Sequence, residues 1–338
     1  KDIKIFSPPT AYQAAYQQPT GSRFGADALY NAENRKEGAM ITYYLKEGKK
    51  KSSEKNKDDN ATENEMNKTD SVSRKDTEKK KLSGVQKKDS IMFQFYDGDR
   101  LIRTIKTKTP EKAGFHRIYW EMDEKGSDRP SRKIPKNKNE RGGTNVKPGT
   151  YKVKVTYGEM TDDTMIEVKS DPRLNVSTTS INEVYEASKK LESFTQTAAD
   201  AVKQLVESKT VADKYQKELK ELDEEKYKDQ IKASKDIKKA IDSIIALYLG
   251  KEDKRQGITR NPEITVMQRI GNASRYVRTR KTGITATENQ MIQFAVDELT
   301  SALQKTNAFF NEKWKPYREE IEKQDVSPFK ETKTFSLD

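Results

Sequence analysis

The 338-residue chain contains no cysteine, which excludes disulfides, thiol chemistry and cysteine-ligated metals. It has one histidine, His116, so at most one histidine-based triad or ligand is possible. Apolar residues are scarce, at 32% against 36% charged. That is a thin core for the length, and it implies elongated parts or segments without a packed interior. No apolar run reaches the roughly 18 residues that a membrane-spanning helix needs. Catalytic signatures are also missing: there is no HExxH, no Walker motif and no GxGxxG before a helix. Gly142-Gly143…Lys147 lacks the spacing and the Ser/Thr of a phosphate loop. No cofactor and no metal are expected. The chain starts at Lys1 rather than Met, and Lys1-Asp2-Ile3-Lys4 is not a signal peptide, so a piece or mature part of something longer is expected.

What is present begins with period-two alternation. After Gly114, His116, Ile118 and Trp120 fall on one face, and Phe115, Arg117 and Tyr119 on the other, which predicts a strand with a buried side. Lys147-Pro148-Gly149-Thr150 predicts a turn, with Pro148 fixing φ and Gly149 in the left-handed third position. In the next strand Tyr151, Val153, Val155 and Tyr157 point inward. Ala39–Leu45, Ser90–Tyr96 (Ile91, Phe93 and Phe95 inward), Leu101–Thr107 and the stretch around Thr164, Ile166 and Val168 read as further strands. Asp97-Gly98 predicts a hairpin turn. A buried Trp120 and an alternating Tyr/Val strand point to a β-sandwich of immunoglobulin type. Beyond Asp171 the period becomes helical: Ile181, Val184, Leu191, Ala198, Val202, Leu205, Ala212 and Leu219 form a seam. A turn is expected near Glu221–Lys228. A second helix should end at Gly250, and a third should start at Pro262 and reach about Lys281. The last helix is capped by Thr285…Glu288 and should be kinked or ended by Pro316. The fold class is α+β multidomain, an immunoglobulin/fibronectin-like β-sandwich followed by an antiparallel helical bundle.

The pattern GFHRIYWEM…PGTYKVKV, with Gly38-Ala39-Met40-Ile41-Thr42-Tyr43-Tyr44-Leu45, Asp97-Gly98 and Asp171-Pro172-Arg173-Leu174, resembles the C-terminal region of bacterial sortilin-like (VPS10/BNR-repeat) β-propeller proteins, often labelled glycosyl hydrolases. The chain departs from that family in having Arg35-Lys36-Glu37 where prolines are usual and in carrying a Lys-rich insert, and no propeller precedes the module. The resemblance implies this division: a lead-in segment over 1–33, a sandwich over 34–174 interrupted by insert 46–88, a helical bundle over 175–323 and a tail over 324–338. It also implies an extracytoplasmic place (periplasm, outer membrane or secreted) and, as partner, an upstream β-propeller domain or another envelope protein. The expected role is a non-catalytic accessory module that braces a propeller. The alternative is part of a carbohydrate-active hydrolase whose catalytic residues lie upstream.

The insert 46–88 holds fourteen Lys/Arg and nine Asp/Glu, and such a segment reads as a solvated loop. Asp70-Ser71-Val72 within it resembles a short O-glycosylation triplet. Arg269, Arg275, Arg278, Arg280 and Lys281 flank Tyr276 without an acidic residue between them. They form either a patch for an anionic glycan, lipopolysaccharide or nucleic acid, or a solvated helix C-terminus whose cations suit the dipole. No nucleic-acid motif accompanies the cluster, so nucleic acid is not the expected partner. His116 and Trp120 read as packed core residues, and Pro148, Gly149 and Tyr151 as structural. Tyr119, on the opposite face of its strand, is the surface aromatic. Glu218, Glu221, Glu224 and Glu225 read as a solvated helix face, and Asp97 and Asp99 as turn residues.

Overall fold

The computed structural model describes residues 2–14, 36–47, 90–135, 140–252, 263–280 and 282–324. Lys281, Pro262, the Asp70-Ser71-Val72 triplet, most of the insert 46–88 and most of the lead-in and tail lie outside them. The chain divides into two compact units: Lys1–Asp123 with Pro148–Arg173, and Glu124–Lys147 with Leu174–Asp338.

The first unit is built of strands. One sheet has three, β1 (Ile3–Ile5), β3 (Ala39–Leu45) and β6 (Gly114–Trp120), in the order β1-β3-β6. The other has five: β2 (Ala11–Gln13), β4 (Ser90–Asp97), β5 (Arg100–Lys108), β9 (Gly149–Tyr157) and β10 (Met160–Ser170), in the order β2-β10-β9-β4-β5. All pairings are antiparallel except β2 with β10. The predicted inward residues Ile91, Phe93, Phe95, Tyr151, Val153, Val155 and Tyr157 are buried, as are Ala39, Ile41, Tyr43 and Leu45 of β3. Rings join the two inner faces. Trp120 stacks on Phe95 with centroids 4.4 Å apart and meets Tyr151 edge-on at 5.6 Å, and Tyr43 meets Phe93 at 5.2 Å. Trp120 is fully buried, and its indole N–H donates to the Asp123 carbonyl at 2.9 Å, which satisfies its one polar atom. Beneath it the Arg103 guanidinium lies 3.4 Å from the Asp123 carboxylate, both side chains nearly buried. Burial pushes the Asp123 carboxyl above the usual range despite the opposing charge of Arg103.

The second unit holds the helices α1 (Thr178–Asp223), α2 (Lys228–Leu249), α3 (Val266–Thr279), α4 (Ala286–Phe309) and α5 (Lys315–Glu322). They share one core that includes Leu191, Leu205, Ile241, Tyr248, Ile270 and Leu299. Ser177 caps α1 by accepting from the Ser180 N–H at 3.1 Å. Thr265 and Thr285 open α3 and α4 with capping boxes. Gly250, at φ 80°, ends α2. Lys209 meets Asp242, and Lys238 meets Asp213. Position numbers rise along α1 as they fall along α2, so the two helices are antiparallel. Buried hydroxyl pairs tie α2 to the last helices: Tyr248 with Thr306 at 2.8 Å, and Ser234 with Tyr317 at 2.9 Å.

Three expectations are corrected. The piece 34–174 is not continuous, because Glu124–Lys147 groups with the helices. Within it β7 (Asp123–Lys125) and β8 (Gly142–Asn145) form a two-stranded ribbon, and Glu124 accepts from the Tyr185 hydroxyl at 2.6 Å on α1. Gly149 does not adopt the left-handed conformation. It is the first residue of β9 and pairs with Val168, so the chain enters the strand directly after Pro148. Pro316 does not end the helical run, which continues to Glu322, although the α spacing is interrupted just before it. A π-helical turn at Phe310–Trp314 precedes it, and the Lys315 N–H bonds back to the Phe310 carbonyl. The missing N–H of Pro316 therefore falls where the wider ladder returns to α spacing.

Candidate binding surface

The outer face of the three-stranded sheet follows from alternation. β1 contributes Lys4, β3 contributes Met40, Thr42 and Tyr44, and β6 contributes Phe115, Arg117 and Tyr119. Register sets Lys4 beside Tyr44 and Tyr44 beside Phe115, Thr42 beside Arg117, and Met40 beside Tyr119. None of these residues is a carboxylate. Phe6, just past β1, donates its N–H to the Thr42 carbonyl at 3.0 Å, and its ring lies 5.6 Å from that of Phe115. The Tyr44 ring meets Phe115 edge-on at 5.4 Å. The Lys4 ammonium sits 5.3 Å from the Phe6 centroid, and that of Lys36 sits 5.6 Å from the Tyr119 centroid. Phe115 is 70% exposed, more than any other large hydrophobic among the described residues. Interplanar angles of 40° and 62° mean that the rings form a projecting knob rather than a flat shelf. Aromatics and arginine without carboxylates are the composition of an interface centre. Covering one such ring is worth about 2 kcal/mol.

The densest polar cluster lies elsewhere, in the helical unit. Lys189 bridges Glu124 at 3.2 Å and Glu192 at 2.6 Å. Thr144 donates to Glu192 at 3.4 Å, and the Lys147 ammonium lies 4.7 Å from the Tyr185 ring centroid. Desolvation pulls the Lys189 pKa down, but the bonds to Glu192 and Glu124 outweigh it and hold the ammonium above its usual range. Both carboxylates are engaged by a fixed cation and hydroxyls, an arrangement that fastens the ribbon to α1. Among the described residues no group of three or more His, Asp or Glu side chains is placed to hold a metal ion.

The predicted site residues fare differently. Trp120 and Tyr151 are core. His116 is hydrogen-bonded and packed as expected, its Nε2 2.9 Å from the Lys112 carbonyl and its ring 5.5 Å from that of Tyr43, but it is half-buried rather than enclosed in the core. Tyr119 is on the outer face but half-buried. Of the four described members of the basic cluster, two are engaged by neighbouring groups. Arg280 pairs with the buried Glu288 at 3.1 Å and donates to the Thr285 hydroxyl at 3.1 Å. Arg269 lies over the Phe294 ring at 4.8 Å. Arg275, bonded to Asn272 at 3.1 Å, and Arg278 remain exposed beside Tyr276, and Lys281 lies outside the described residues. Sequence reasoning passed over Phe115, Phe6, Tyr44 and Lys4 as a group. The signal was available for Phe115, which shares its face with Arg117 and Tyr119. The pairing that brings Lys4 and Tyr44 alongside needs the sheet order. No family model matches this chain, and neither a curated protein nor a solved structure shows detectable similarity to it.

Proposed function

We propose that this chain is a non-catalytic interaction module of an exported multidomain bacterial protein, and that it holds a protein partner against the outer face of its three-stranded sheet. Phe115 carries the reading: a large ring, 70% exposed, between Phe6 and Tyr44 on a face whose strand residues include Lys4 and Arg117 and no carboxylate, the nearest in sequence, Asp2, being paired with Lys46. A chain that keeps such a ring in water loses the free energy of covering it unless a partner supplies the cover. The three- and five-stranded sheets with ring contacts between them support an immunoglobulin/fibronectin-like sandwich as the finer architecture. The resemblance to sortilin-like proteins makes an upstream β-propeller or another envelope protein the first partner to test, and an extracytoplasmic place the first to examine.

The test is photocrosslinking in the producing cell. p-Benzoylphenylalanine is placed at position 115 and, as a control on the other sheet, at the exposed Met165. An adduct or protected fragment specific to position 115, containing propeller or envelope-protein sequence, supports the module. Equal labelling at both positions, or none, sinks it.

A further inference from the structure

Resting on the reading of this face as an interface, we infer that the outer edge of β6 takes up an extended acidic segment of the partner as an added strand. A sheet edge exposes unpaired N–H and C=O groups and templates pairing unless it is blunted. The other edges of the two large sheets are blunted. β1 and β2 are three residues long, and the Ile5 N–H is taken by the Asp162 carboxylate at 3.0 Å. β5 carries exposed Arg100, Lys106 and Lys108, and its pairing with β4 is irregular at Phe95/Tyr96. β6 is different. It runs seven residues without proline, and among the described residues it pairs only with β3. Its outward side chains are Phe115, Arg117 and Tyr119, so a single charge stands between two aromatics.

Those three residues specify the occupant. A strand laid along β6 places every second side chain on the same outer face, opposite its cross-strand neighbours. Phe115 and Tyr119 select apolar residues at the two ends. Arg117 between them selects a carboxylate. The motif is apolar-x-acidic-x-apolar in an extended chain. Main-chain bonds to the edge supply affinity, and the alternate side chains supply selection.

The test uses the full chain and a capped heptapeptide, Thr-Val-Thr-Glu-Thr-Val-Thr. Controls are the same peptide with Lys in place of Glu, and two forms N-methylated on alternate residues so that one strand edge or the other cannot bond. Calorimetry reads affinity, and amide exchange reads protection along residues 114–120. The expected result is slowed exchange in β6 with the parent peptide and loss of binding with one N-methylated form. The Lys peptide, and the exposed variant F115A with the parent peptide, should each bind about tenfold more weakly. R117E should reverse the preference between the Glu and Lys peptides. Equal binding of the parent and both N-methylated forms overturns strand addition while leaving the docking face intact. No binding by any peptide at millimolar concentration also overturns it, as does a position-115 crosslink that closes within the same chain. The cell crosslinking experiment judges the interface reading separately.

Discussion

The two faces of β6 carry aromatic rings to opposite ends. On the inner face Trp120 is fully buried, stacked on Phe95 and bonded to the Asp123 carbonyl. On the outer face, five residues earlier in the same strand, Phe115 keeps 70% of its surface in water. The same contrast holds for the cations. Arg103 is nearly buried against Asp123, whereas Arg117 is exposed. For the rings a single strand, and for the cations two strands of different sheets, separate residues whose value is stability from residues whose value lies in contacts still to be made.

Breaking the inner face should have the largest effect. Trp120→Ala removes a ring from a close-packed site and should cost about 3–5 kcal/mol in urea unfolding. Phe115→Ala should stay within about 0.5 kcal/mol of the parent while weakening partner binding. A cost for Phe115→Ala comparable to that of Trp120→Ala would erase the distinction. Next comes Arg103→Met, which leaves the Asp123 carboxyl buried without its cation and should cost about 3 kcal/mol at neutral pH. Because the Asp123 pKa is raised in the folded state, its ionisation opposes folding. The contribution of its protonated form is present below its unfolded pKa and is lost as pH rises through the folded value. The Arg103→Met deficit should therefore shrink on mild acidification, whereas Arg117→Ala should show no such trend. Tyr248→Phe, in the helical core, removes a single buried hydroxyl bonded to Thr306 and should cost about 1 kcal/mol.

The smallest effect belongs to an exposed group. Hydrogen bonds from Lys217 and Lys238 lower the pKa of Asp213 to about 2. Its contribution is present above the unfolded pKa of Asp and is lost as pH falls through about 2. Asp213→Asn should slightly destabilise the α1–α2 pair at neutral pH, with the difference from the parent vanishing at the acid end of a chemical denaturation series.

Much of this architecture is legible in the sequence because alternation and capping are local. Tyr151, Val153, Val155 and Tyr157 alternate without interruption, and Thr285 with Glu288 and Gly250 mark helix ends in agreement with the structure. What escaped reading depends on residues far apart in the chain. Arg280 looks like a free cation until Glu288 is found folded against it. The stretch Glu124–Lys147 is polar and rich in lysine and glycine, so nothing local reveals that Glu124 meets Tyr185 and Lys189, or that Arg132 reaches the Gly250 carbonyl. Alternation places Phe115 on its face, but its exposure depends on what lies across the sheet from it. Pro316 signals a break, and the π turn that accommodates it leaves no local mark in Phe310–Trp314.

The ribbon in that polar stretch has a practical corollary for anyone wishing to carry foreign sequence on this scaffold. Its two ends are clasped: the Gly126 N–H donates to the Arg141 carbonyl at 2.8 Å, and a side chain on Gly126 would run into the Gly142 carbonyl. The excursion between leaves and re-enters at essentially one place. Because doubling a loop of this kind costs only about 0.6 kcal/mol in closure entropy, an epitope or a reporter domain grafted beyond Lys133 should leave strands and helices undisturbed. Gly126 and Gly143 are the residues that such a graft must not touch.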